Sequence, residues 1–208
     1  MIRHWLSTRP KADEVITTEY RPNLRPLRWW MLPDVEKRRR RLPRWDLKGS
    51  TYFVTYRVNT GLGNVFLRHP KAAIAVEEML FYDYRFLYDL DAYVVMPDHF
   101  HALIRPLSGE PLGKILGLIK GRSSRAANLE IGRTGRLWFP KYFDRIIRSR
   151  DDWRERFMYI HQDPLRSRLV EDEVSWPWSS AVTMHSEGRL ASYPIAWAPE
   201  SEEFRRGQ

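Results

Sequence analysis

The sequence predicts an α+β fold in which an antiparallel sheet carries helices packed on one face, and three observations point to it. Apolar residues make up 43% of the 208 positions and aromatics 13%, with nine Trp, which is ample material for a core. The apolar spacing alternates between strand and helix periods in the order strand, helix, strand, strand, helix, strand, helix. The two consecutive strands are joined by a Pro-Asp turn too short for a crossover, so they must run antiparallel.

Taken in order, residues 1–48 carry Pro10, Pro22, Pro26, Pro33 and Pro43 among charges, which disfavours long regular elements and predicts a basic N-terminal arm. The single domain is expected over residues 49–182, since one core is usual up to ~250 residues. It opens with "STYFVTYRV", residues 50–58, where β-branched and aromatic residues favour a strand. Ala72, Val76, Met79 and Leu80 recur at helical spacing between His69 and about Tyr84. "RFLYDLDAYVVMP" and "HFHALIRP" follow as paired strands. From Leu112 to about residue 130, Leu112, Ile115, Leu116 and Ile119 form an apolar stripe, with Lys114 and Arg125 almost opposite it and Gly121 beside them. "RLWFPKYFDRIIRS" reads as an irregular or strand segment bent at Pro140, and "DDWRERFMYIHQ" opens a third helix with an acidic first turn, limited by Pro164. Residues 183–208 are expected to be an acidic extension.

Charge narrows the partner. Residues 1–48 hold 13 Lys/Arg against 6 Asp/Glu, and residues 111–150 hold 10 against 2, within a formal net charge of +9. Two basic segments imply a polyanion, because each cation that neutralises a phosphate releases condensed counterions. No long basic amphipathic helix suits a membrane surface, so nucleic acid is the expected partner. Absence of cysteine excludes disulfides and thiolate chemistry, and no apolar run approaches the ~20 residues of a membrane span. The N-terminus lacks the apolar core of a secretory signal, so the chain is expected to be cytoplasmic.

Two of the six histidines, His99 and His101, fall two apart in "YVVMPDHFHALIRP". On a strand such residues point to one face, ~6.6 Å apart, and can aim at a single ion, leaving positions open for a carboxylate, water and phosphate oxygens. The same spacing fits two histidines on a solvated sheet face. In the third helix Tyr159 and Asp163 are four apart and share a face, which would bring a phenol beside a carboxylate ligand. Tyr159 also fits a core position behind Phe157 and Met158. His161 is a weak candidate base, since two residues along a helix it faces away from Tyr159.

"VVMPDHFHALIRP", then "LWFPKYFDRIIRSRDDWRERFMYIHQDPLRSRLV", then "WPWSSA" resemble in order and spacing the REP-associated tyrosine transposases of the single-tyrosine HUH transposase superfamily, over about residues 40–182. The resemblance implies a ferredoxin-like HUH fold and cleavage and rejoining of single-stranded DNA, with hairpin-forming repeat elements as substrates. It implies that His99 and His101 are the metal pair, that Tyr159 is the nucleophile, and that Asp163 occupies the place of the family's metal-binding Asn. Asp98 likewise stands where the family usually has Asn. A carboxylate at position 163 is a harder oxygen ligand for Mg²⁺ or Mn²⁺.

Candidate DNA contacts are Lys114, Arg122 and Arg125 on the second helix and Arg38, Arg39, Arg40 and Arg41 of "KRRRRLPRW", the last four equally readable as a solvated run. Trp138, Phe139, Tyr142 and Phe143 are candidates for stacking on bases or for the core, and Tyr142 is the rival nucleophile. Two other classes stay open: a domesticated, non-catalytic DNA-binding protein, and a metal-dependent hydrolase with water as nucleophile. The oligomeric state, monomer or homodimer, is not legible.

Overall fold

The computed structural model describes residues 49–59, 66–107 and 109–186. The expected basic arm, with Arg38, Arg39, Arg40 and Arg41, and residues 187–208 of the acidic extension lie outside the described residues.

Four strands form one sheet in the order β2-β3-β1-β4, with β1 at Tyr52–Arg57, β2 at Tyr88–Val95, β3 at His99–Pro106 and β4 at Phe143–Ile146. Every pairing is antiparallel. The β2–β3 hairpin turns through Met96–Asp98, closed by a bond from Met96 N to His99 O of 2.8 Å. Pro140 marks the bend expected of it. Before it, Phe139 N bonds Arg57 O at 2.8 Å, and after it β4 pairs with the first half of β1.

Strand alternation sorts the sheet into two faces. Val54, Tyr56, Phe100 and Ala102 point to one, where helices α1 (Pro70–Phe81) and α2 (Leu112–Glu130) pack against each other and cover it. Ala72, Val76 and Leu80 of α1 and Leu112, Ile115, Leu116 and Ile119 of α2 are buried, as their spacing predicts. Tyr93 and Glu77 join β2 to α1 through a buried hydrogen bond of 2.7 Å. Phe53, Thr55, His99 and His101 point to the other face.

Helix α3 (Arg150–Arg166) lies on that second face, so the helices divide between the two sides, with the two that pack together sharing one. Its N-terminus is capped by Ser149, whose Oγ accepts from Asp152 N. Pro164 does not end it. The helix continues to Arg166, because proline this close to the C-terminus removes only one intrahelical bond, while Ser167 N still reaches Asp163 O at 2.9 Å. Asp163 is therefore held in helical geometry.

The "WPWSSA" segment lies along the outer edge of β2. Val95 N donates to Trp178 O at 2.8 Å, Trp176 Nε1 donates to Val95 O at 2.9 Å, and both indoles are buried. An edge covered this way offers fewer free backbone groups to another strand. Helix α4 (Ser180–Ser186) follows directly. No helix among the described residues is long and apolar enough to cross a membrane.

Candidate active site

Three side chains from two distant parts of the chain converge on the α3 face of the sheet. His99 Nε2 lies 3.1 Å from His101 Nε2 and 3.0 Å from Asp163 Oδ2, and His101 Nε2 lies 3.6 Å from the same carboxylate oxygen. β3 supplies the pair at strand spacing, and α3 brings the carboxylate across from above.

Each imidazole is oriented from behind. His99 Nδ1 is 2.6 Å from Asp98 Oδ1, and His101 Nδ1 is 2.7 Å from Thr55 Oγ1, directly across the β1–β3 ladder. A carboxylate accepts hydrogen bonds and cannot donate them when ionised, so Asp98 requires the proton on Nδ1 of His99 and leaves Nε2 to face the cluster. Phe53, the next residue on this face of β1, stacks on His101 with ring centroids 5.1 Å apart.

The charge state follows from this enclosure. Burial alone would lower the His99 pKa, but the Asp163 and Asp98 carboxylates outweigh it and raise it to about 9. Burial and the neighbouring His99 charge push His101 down to about 3. Burial disfavours the Asp163 carboxylate, yet its bond to His99, with His101 and Arg166 nearby, brings it to about 2.

The donors fit a divalent ion. Two imidazole nitrogens and one carboxylate oxygen lie within 4.8 Å of one another. Their 3.0 to 3.6 Å separations suit adjacent ligands about 2.1 Å from a common centre. Two imidazoles with a single carboxylate also leave positions for substrate oxygens. Each Nδ1 atom has a hydrogen-bond partner of the kind that ligating histidines require to fix their tautomer and ring orientation.

Tyr159 sits one helical turn before Asp163 with its ring 5.4 Å from that of His101 and 5.9 Å from that of Phe53, edge-on to both. Burial raises the phenol pKa and Asp163 adds to the effect, while Arg166, Arg156 and Arg57 oppose it. The rival Tyr142 lies on the other side of the sheet, its ring 5.2 Å from that of Tyr56. His161 faces away from the cluster, as its spacing predicts. Its Nε2 meets Ser180 Oγ at 2.7 Å, and burial pushes its pKa down to about 3.

The remaining candidates separate. Lys114, Arg122 and Arg125 lie on α2, across the sheet from the histidines. Lys114 pairs with Glu110 at 2.7 Å, Arg122 pairs with Asp83 and lies over the Tyr82 ring, and Arg125 is exposed. Among the aromatics, Trp138 is fully buried behind Phe100, whereas Phe139 is exposed and Phe143 lies half-buried beside Phe53 on the histidine face.

A family model described as transposase IS200 like matches residues 77–163, from within α1 through Asp163. Over these residues the chain is similar to the IS200-like transposases. A REP-associated tyrosine transposase of Escherichia coli strain K12 is 27% identical over 172 residues, which span 79% of this chain and 94% of that protein. The solved structure of a REP-associated tyrosine transposase bound to a REP hairpin has the same fold, with a TM-score of 0.58 at 24% identity, covering 76% of this chain and 90% of the other.

Four residues at this site are not among the sequence candidates: Phe53, Thr55, Arg57 and Arg166. The first three alternate along β1, so they share a face, but only the register opposite His99 and His101 places that face at the site. Arg166, three residues after Asp163 and seven after Tyr159, was accessible from helical spacing.

Proposed function

We propose that this protein cleaves and rejoins single-stranded DNA in the cytoplasm through a covalent Tyr159 intermediate, at hairpin-forming repeat elements, as an HUH-type transposase using Mg²⁺ or Mn²⁺. The observation that carries the reading is the seating of Tyr159 against His101 while Asp163, one turn later on the same helix, closes on both histidines. Nucleophile and donor cluster are thereby coupled through one rigid element.

In this reading the Tyr159 hydroxyl attacks the scissile phosphorus, the new bond joins phenol oxygen to phosphorus, and the bond to the 3′ oxygen breaks. The phenolic proton is made up on the departing 3′ oxygen, giving a 5′-phosphotyrosine and a free 3′ hydroxyl. The phosphotyrosyl ester keeps the phosphodiester's energy, so a 3′ hydroxyl reverses the step without ATP. A divalent ion at His99, His101 and Asp163 supplies Lewis-acid stabilisation of charge on the phosphate oxygens. Phe53 and Thr55 hold His101, and Asp98 holds His99, in the orientation this requires.

The test is adduct formation with Mg²⁺ and hairpin oligonucleotides from the gene's own surroundings, labelled separately at each end. The adduct should carry the 3′-end label, and Tyr159→Phe should abolish it with folding intact. Cleavage without adduct would assign the nucleophile to water, and binding without cleavage would leave a domesticated DNA-binding protein.

A further inference from the structure

We infer that Arg57 and Arg166 grip one phosphate of the bound strand from two sides, Arg57 from the end of β1 and Arg166 from the last turn of α3, and seat it against the Tyr159 hydroxyl. The inference rests on the function proposed above and adds two phosphate-binding residues to it.

Arg57 stands opposite His99 in the β1–β3 ladder and is exposed. Among the described residues its guanidinium makes no ion pair, although its charge is felt at Tyr159, His101 and Asp98. Arg166 lies across the Tyr159 ring at 3.9 Å from its centroid, donates to Tyr159 O at 2.9 Å and approaches Asp163 Oδ1 at 3.6 Å. With 43% of its side chain exposed, it keeps further N–H groups for a ligand, since a guanidinium has five.

Charge balance favours such a pair. A divalent ion held at His99, His101 and Asp163 offsets the two carboxylates of Asp98 and Asp163 but leaves the charge of an arriving phosphate uncompensated, and nearby cations would supply the difference. Arg57 and Arg166 flank those carboxylates, and planar guanidinium groups suit paired hydrogen bonds to phosphate oxygens. A grip from both sides would also fix the phosphorus relative to the phenol, which is what in-line attack requires.

The test uses Tyr159→Phe, which keeps the ring under Arg166 but cannot attack. Its affinity is measured for hairpin oligonucleotides with single-stranded flanks in which one neutral methylphosphonate is walked along the strand. One position should weaken binding about tenfold or more, the effect of removing a hydrogen bond between charged groups. Arg57→Gln and Arg166→Gln should each lose that sensitivity, and Arg→Lys should keep part of it. A purely structural Arg166 would lower affinity equally for every oligonucleotide. Full sensitivity retained in both variants overturns the clamp. Cleavage mapping of the wild type separates the two ideas. A shared sensitive position without cleavage leaves the clamp and removes the nucleophile, whereas cleavage without such a position removes the clamp alone. Absence of binding to every oligonucleotide overturns both.

Discussion

His99 Nε2 and Asp163 Oδ2 lie 3.0 Å apart although 64 residues separate them in the chain. The sheet and α3 meet at this pair, and it supplies the first prediction. Titrated calorimetrically with Mn²⁺, the wild type should bind one ion and the His99→Ala/His101→Ala double variant none. Asp98→Ala should weaken binding roughly 10- to 100-fold, because His99 Nδ1 then has no carboxylate to hold it. Equal affinity in all three proteins would remove the ion from this site.

Asp163→Asn removes the negative charge and keeps an oxygen at the same place. DNA cleavage should be retained or improved in this variant. Complete loss would show that the negative charge is indispensable in this chain.

Phe53 holds His101 by stacking and meets Tyr159 edge-on, and it is itself 5% exposed. Phe53→Ala should cost about 3 kcal/mol of folding stability by opening a cavity in the core. It should also weaken Mn²⁺ binding, because His101 loses the ring that orients it. Chemical denaturation and calorimetry on the same preparation check both effects.

His161 is neutral in the folded protein, with its pKa lowered by burial to about 3. The unfolded chain takes up this proton near pH 6.5, so between about 6.5 and 3 the unfolded state binds more protons than the native state. The contribution of His161 is thus fully present above pH 6.5 and lost progressively as pH falls through that window. His101 acts in the same direction. His161→Gln should therefore flatten part, not all, of the fall in thermal midpoint between pH 7 and 4, and an unchanged slope would count against a buried neutral imidazole.

The basic run at Arg38, Arg39, Arg40 and Arg41 makes its own prediction. If it binds phosphates, deleting residues 1–45 should weaken DNA binding and reduce its log-log salt slope by roughly 0.7 for each phosphate no longer neutralised on single strands. The truncated protein should still fold, since among the described residues the buried apolar pattern begins at Tyr52. An unchanged slope would assign the run to solvent.

Local periodicity carried the sequence reading a long way. The strand at His99–Pro106, the helix at Leu112–Glu130, the bend at Pro140 and the shared faces of His99 with His101 and of Tyr159 with Asp163 all follow from spacing within a dozen residues or so, where neighbours in sequence are neighbours in space. Pro164 was the exception, because its effect depends on how much helix follows it, and only two residues do. Tertiary structure decided what spacing cannot reach. It put α3 on the histidine face and Tyr142 on the other, and it set the β1–β3 register that brings Phe53, Thr55 and Arg57 to the site. Those choices are made by packing and strand pairing between segments tens of residues apart, and a one-residue slip in register would have sent the same side chains to the opposite face.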